Sequence, residues 1–262
     1  MRFLRLFWCY LRIAAKLEAA YAEHFFLQIF ESGLGLLANL LWLYIVFART
    51  PKLGNWTSEQ LLILIGVHFL VKGVLAFSIQ PSMKALMDDV RTGDLDFLLM
   101  KPADAQLIVS IREIRLTKLI DVILGVSLII TGCMWLSAPL SLAQLLRFGM
   151  MLLIGLTMVY SIWFILATLS FWLIRTENLD LIFLRMYNAG RWPLNLFPWW
   201  LRALLTVVVP VASSVIVPAE VLAGLSSSKS VGLSIAGGLM SLAFARWLWR
   251  VALRNYVSAS GE

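Results

Sequence analysis

The sequence predicts an all-α integral membrane protein with six transmembrane helices, both termini in the cytoplasm, and short helices lying at the cytoplasmic face. Three observations carry that prediction. Of the 262 residues, 61% are hydrophobic and 14% charged, where soluble domains hold about 45–50% and about 25%. Mean hydropathy is +0.86, more apolar surface than a soluble core of this length can bury. Apolar runs of spanning length recur along the chain between basic loops, and a span needs about 20 such residues to cross roughly 30 Å of hydrocarbon.

Residues 1–26 come first. Their apolar run is cut by Arg5, Arg12 and Lys16, and no small-residue cleavage site follows, which argues against a secretory signal. At 100° per residue Arg2, Arg5, Arg12, Lys16 and Glu23 fall within an arc of about 80°, leaving Phe3, Leu4, Leu6, Phe7, Trp8 and Leu11 on the apolar remainder. That pattern describes an amphipathic helix lying in the cytoplasmic interface. A snorkelling extension of the first span is the other reading.

Residues 27–262 form the transmembrane domain, with spans at 27–48, 61–80, 119–137, 145–173, 199–220 and 231–250. The fourth is long enough to tilt or to project beyond the bilayer. Pro210 and Pro218 interrupt the fifth. Lysine and arginine orient the bundle: sixteen lie in segments 1–26, 81–118, 174–198 and the C-terminal end, against four in the opposite loops. The positive-inside rule places both termini in the cytoplasm. The net charge of +7 therefore reads as membrane topology and not as nucleic-acid binding.

The chain has no G-x-x-x-x-G-K-[ST] loop, no H-E-x-x-H and no G-x-S-x-G elbow. Two cysteines, Cys9 and Cys133, and two histidines, His24 and His68, are too few for a metal centre of their own. An enzyme has no constellation to stand on, and no cofactor is expected in this chain.

The cytoplasmic loop 81–118 carries the most pattern. Pro81 and Ser82 suit the start of a helix, and Gly93 suits its left-handed close. In the run from Asp94 through Leu95, Asp96, Phe97, Leu98, Leu99, Met100 and Lys101 to Pro102, Asp94 or Asp96 caps a short helix that Pro102 stops. Asp104 caps a further helix through Ile111 and Arg115 into the third span. Four consecutive large apolar residues, Phe97 to Met100, must meet lipid, the rest of the bundle or another protein. A corner packed under the bundle and a docking helix both fit.

The stretch Gly93–Pro102 resembles the G-x-L-D-x-x-L-x-K-P signature of one branch of the ABC-2 type permeases, the membrane subunits of bacterial ABC exporters. The resemblance extends over the whole chain, from the basic N-terminal helix to the proline-interrupted region at Pro210 and Pro218–Glu220. It implies a coupling helix between spans two and three that docks on a separate nucleotide-binding subunit. Gly93 would set the turn, Asp94 and Asp96 the caps, Leu95 would belong to the same contact, Phe97 and Leu98 would be the apolar knobs, and Lys101 would pair with an acidic group on the ATPase. The resemblance further implies ABC ATPase subunits as partners, with ATP and Mg held there, a second permease, identical or related, and export across the bacterial cytoplasmic (inner) membrane. The rivals from other classes are an integral membrane enzyme acting on a lipid and a non-transporting scaffold or immunity subunit.

Glu31, His68, Lys72 and Asp121 sit within spans or at their edges, where ionisable groups are costly and face a partner or a water-filled cavity. His68 and Lys72 share one face of the second span. Glu31 lies at a matching depth in the first, so a Glu31–Lys72 ion pair fits. These groups line a substrate path or, in the plainer reading, lock helices together. Arg202 beside Trp199 and Trp200 reads as an interfacial anchor. Arg246, Arg250 and Arg254 recur every four residues and read as a stripe snorkelling to anionic lipid. Trp42, Trp163 and Trp172 read as lipid-facing or belt positions. Ser234 with Gly238, and Gly33 with Gly35, are small residues that let helices approach closely, within the chain or across a dimer.

Overall fold

The computed structural model describes the chain except for residues 1, 21, 102–103, 137–139, 174–178 and 256–262. Among the described residues every regular element is helical, and the nearest thing to a strand is an isolated bridge between Leu53 and Trp56. The α-helices in order are α1 (Arg2–Ala20), α2 (Ala22–Phe47), α3 (Ser58–Val74), α4 (Gln80–Thr92), α5 (Leu95–Leu99), α6 (Ala105–Ser110), α7 (Leu119–Trp135), α8 (Leu142–Thr168), α9 (Leu179–Tyr187), α10 (Trp199–Val207), α11 (Val217–Ala223) and α12 (Ser228–Asn255). Five stretches are long and apolar enough to cross a membrane: Phe25–Phe47, Ser58–Thr92, Leu116–Trp135, Leu142–Phe171 and Ser228–Arg254. A bent pair, Trp199–Val207 with Ala212–Ala223, is the sixth candidate. The chain is a multi-pass membrane protein.

Local sequence explains where the spans begin. The side chain of Gln60 accepts from the Thr57 N–H at 3.0 Å, and Ser141 and Gln144 bond reciprocally at the start of α8, at 3.2 and 3.4 Å. These are capping boxes, which satisfy donors a helix start otherwise leaves open. The helix of the second span does not end near residue 80. It runs on for 35 residues, because α3 passes into α4 through a π-helical turn at Leu75–Ile79. Pro81 therefore sits in the first turn of α4 and not at a fresh helix start. The stop is at Gly93, whose φ of +84° closes α4 as expected, its N–H donating to the Asp89 carbonyl at 2.9 Å. Asp104 caps α6, accepting from the Gln106 N–H at 2.9 Å. That helix breaks after Ser110 instead of continuing into the third span, and the Arg115 N–H bonds to the Phe77 carbonyl at 2.8 Å.

The bundle has two ends. One holds α1, α5, α6 and the C-terminal half of α12; the distal end holds the loops 48–57 and 224–227. Residues 179–198 run from one end of the bundle to the other. Phe183 meets Trp163 far along α8, with ring centroids 5.3 Å apart. Tyr187 stacks on His68 at 5.5 Å. Trp192 meets Trp42 at 6.4 Å, and Asn195 lies against Gly54 in a distal loop. The pair α10 and α11, bent by 73°, then enters and leaves on the distal side. Val211 packs on Gly190, and Ser214 packs on Gly155 midway along α8. On return, the Ala223 and Val221 carbonyls accept from Gln60 and Gln144, both at 3.3 Å. The hairpin thus dips to the level of His68, about 15 Å below Ser58 at 1.5 Å per residue.

The closest packing joins α3 to α7. A Cβ on Gly66 would lie 2.9 Å from the Gly125 carbonyl oxygen, so only glycine lets these backbones approach. Ser234 and Gly238 pack inside the chain: Ser234 donates to Ser213 at 3.1 Å, and a Cβ on Gly238 would meet Ile154 at 2.9 Å. Gly33 and Gly35 face open space. Trp163, expected at the lipid, is fully buried, whereas Trp42 and Trp172 are exposed.

Candidate functional site

The loop after α4 builds an exposed surface on a buried base. In α5 the side chains of Leu95 and Leu98 turn into the core, while Phe97 and Met100 stand exposed. Leu98, expected to protrude beside Phe97, is an anchor; Met100 takes the outward place. The reason is helical phase, since Leu95 and Leu98 are three apart and Phe97 and Met100 likewise, on opposite sides of one turn. Asp94 stands at the N-cap of α5, its carbonyl accepting from the Phe97 N–H at 3.2 Å, while its carboxylate makes no cap bond. It accepts from the Thr92 hydroxyl at 2.7 Å. Asp96 occupies the first turn of the helix, where its charge suits the dipole. Lys101 is exposed, and Pro102 lies outside the described residues.

α1 flanks this surface. Tyr10, Ala14 and Leu17 face Asp94, Phe97 and Lys101 across a cleft of about 510 Å³. Arg112 pairs with Asp89 at its base. Glu18 of α1 accepts from the Thr117 N–H at 3.0 Å. Arg12 and Lys16 remain exposed.

Behind α5 the loop is clamped to two spans. Arg246 of α12 donates to both carboxylate oxygens of Asp104, at 3.1 and 2.5 Å, and to Gln106 Oε1 at 2.5 Å. Gln106 Nε2 donates to the Tyr160 hydroxyl of α8 at 3.2 Å, and Ser110 Oγ lies 2.8 Å from the same oxygen. The hydrogen bonds from Arg246 hold the Asp104 carboxyl below its ordinary range. Arg246 is therefore not a lipid-facing member of a basic stripe. Sequence reasoning missed this clamp because its partners lie between 50 and 142 positions apart.

Among the described residues the four intramembrane groups make no ion pair with one another. Glu31 is exposed on α2 and makes no ion pair with Lys72; among the described residues the bridges within 4.0 Å are elsewhere. Lys118 takes that place instead. Its Nζ donates to Gln28 Oε1 at 2.6 Å, and it lies in the fields of Glu31 and Asp121. Asp121, 2% exposed, is wedged against Gly73 with one oxygen unpartnered. His68 lies one turn higher than Lys72, buried against Tyr187 of α9, with Nδ1 unpartnered. Lys72 lies 5.7 Å from the Phe69 ring centroid. Among the described residues no group of three or more His, Cys, Asp or Glu is placed to hold a metal.

A family model described as ABC-2 family transporter protein matches residues 34–260. No curated protein and no solved structure matches the chain.

Proposed function

Because the chain belongs to the ABC-2 family of transporter proteins, we propose that it is the membrane-spanning permease subunit of an ATP-driven exporter. In this reading it forms the substrate path and couples to a separate ATPase through the 93–102 loop. The observation that carries the proposal is the division of α5 into a buried anchor, Leu95 and Leu98, and an exposed apolar pair, Phe97 and Met100. Large apolar groups held out from a fixed base suit a partner's groove, and such anchors carry most of an interface's binding energy.

The terminus-bearing end is then cytoplasmic. Arg185 and Arg191 lie on the crossing segment, so the basic tally becomes fourteen on that side against five on the other, with Arg202 counted outside. The asymmetry still favours that orientation. α1 lies in the cytoplasmic interface, with Arg12 and Lys16 exposed. ATP and Mg are held by the partner, and a second permease, identical or related, completes the path. Closure of the ATPases pushes on Phe97 and Met100. Leu95, Leu98 and the Asp104–Arg246 clamp carry that displacement into α4 and α12, tilting the bundle between two states.

The test is a gentle detergent pull-down of the tagged chain from its native membrane, with mass spectrometry of what accompanies it. A stoichiometric P-loop ATPase, lost on Phe97→Ala with the chain still inserted, is the expected result. A chain reproducibly free of ATPase would sink the proposal and return the lipid-acting enzyme and the scaffold as readings.

A further inference from the structure

Among the described residues the membrane-embedded part of the bundle holds cations with no carboxylate within 4.0 Å. Arg191, on the crossing segment, donates from Nη1 to Asn39 Oδ1 at 3.3 Å, and its buried Nε has no acceptor. Asn39 is itself 7% exposed, so the guanidinium is drawn inward and not out to the interface. One step deeper stands His68, which feels the charges of both Lys72 and Arg191 and whose buried Nδ1 is also unpartnered. Lys72 follows one turn on, with the Phe69 ring as its contact. Lys118 comes last, at the α7 start, within the field of Lys72.

Depth orders these groups. At 1.5 Å per residue Asn39 lies about 12 Å from the distal end of α2, Lys72 about 21 Å from that of α3, and Lys118 about 26 Å from that of α7. Glu31 and Asp121 act on Lys118, and Asp121, wedged against Gly73, lies about 21 Å from the distal end of α7, level with Lys72. Among the described residues no carboxylate lies within 4.0 Å of Lys72 or Arg191. A cation left unpaired at this depth is expensive, and residues of this kind mark pathways in membrane proteins. Rings and files of Arg and Lys are the means by which pores favour anions.

Resting on the permease reading above, we infer that the cargo carries a compact anionic group, a phosphate or a carboxylate. This group moves from Lys118 past Lys72 to the partly exposed guanidinium of Arg191. The column is half-open along its length, since Lys72, Lys118 and Arg191 are each partly exposed. An anionic headgroup with its chain left in lipid and a small soluble anion satisfy the same chemistry.

The experiment is equilibrium binding of dodecyl phosphate to the full chain purified in a neutral detergent, without ATP. Dodecyltrimethylammonium and inorganic phosphate serve as comparisons. Saturable binding of dodecyl phosphate is expected, weakened about tenfold or more by Arg191→Gln and by Lys72→Gln and largely kept by Arg191→Lys. Displacement by inorganic phosphate would assign a soluble anion; its failure to displace would assign a headgroup. Equal binding of the ammonium amphiphile, or affinities unchanged within about twofold in both glutamine variants, would overturn the inference. Lys72→Gln keeps the test open if Arg191→Gln does not fold. Because ATPase co-purification is read separately, loss of the partner with anion binding intact would count against the permease reading alone.

Discussion

Asp104 and Arg246 are joined by two parallel hydrogen bonds, 3.1 and 2.5 Å long, across 142 positions of sequence. The geometry is the bidentate fork that arginine makes with a carboxylate. It fixes the loop behind α5 to the last long helix of the bundle.

The pair is about one-third exposed on each side, 36% and 37%, so its contribution to stability is about 1 kcal/mol at most. Its loss should therefore act on coupling more than on folding. Arg246→Gln and Asp104→Asn are expected to leave the chain inserted and the ATPase bound, while lowering cargo moved per ATP hydrolysed. The double exchange Asp104→Arg with Arg246→Asp should restore part of that ratio. Unchanged coupling in both single variants would remove the clamp from the mechanism.

The same pair sets a pH dependence of known sign. The folded Asp104 carboxyl titrates below its ordinary value of 3.8, so its contribution is complete above that value and fades as pH falls through the lower, folded one. The difference in thermal midpoint between the natural chain and Asp104→Asn should be the same at neutral pH and at about pH 5, and shrink only below about pH 3.8. A difference that already closes near pH 6 would point to another group.

Adjacent positions of α5 should fail in different ways. Phe97→Ala removes an exposed side chain and should cost about 2 kcal/mol of partner binding, roughly thirtyfold, with the thermal midpoint unchanged. Leu98→Asp places a charge where Leu98 is 7% exposed and should destabilise the chain itself by several kcal/mol. Comparing detergent thermal melts with ATPase retention separates the two. Equal losses of stability would mean that α5 is only a packing corner.

Topology offers a direct check on the distal hairpin. In a background with Cys9 and Cys133 replaced by serine, Asn195→Cys and Trp199→Cys should react with a membrane-impermeant thiol reagent from the same side as Asn55→Cys. The reason is that Asn195 lies against Gly54. Labelling of Asn195→Cys from the opposite side would restore a spanning 199–220 segment.

Apolar runs and capping pairs made most of this architecture legible in the sequence: α2, α7, α8 and α12 begin and end close to where length and composition put them. The segment 179–198 was not legible. Its helix α9 is nine residues long, and Arg185, Asn188, Arg191 and Asn195 break its apolar run, so no window reads as a span. Its polar and aromatic groups are met by neighbouring helices: Asn39 meets Arg191 and His68 meets Tyr187. The 73° bend between α10 and α11 was not legible either, since composition cannot tell one pass from a return to the same side. In α5 the presence of a short helix was readable from Gly93 and the aspartates, but which apolar residues faced outward depended on where the core lay. The glycines of α3 and α7 were legible in principle, because Gly66 with Gly73 and Gly125 with Gly132 both recur at seven residues.

The uninterrupted passage of α3 into α4 has a mechanical consequence. Thirty-five residues of helix make a rod about 52 Å long at 1.5 Å per residue, reaching from the distal loops to the foot of α5. A rod held midway acts as a lever, and the wide turn at Leu75–Ile79 is the place where it can bend without breaking its hydrogen-bond ladder. A thrust of a few ångströms at Gly93 would arrive at Thr57 with its direction reversed. The distal loops, including the Gln60 contact that holds the end of the hairpin, would then swing opposite to the foot, so that a push at one face of the membrane opens or seals the other.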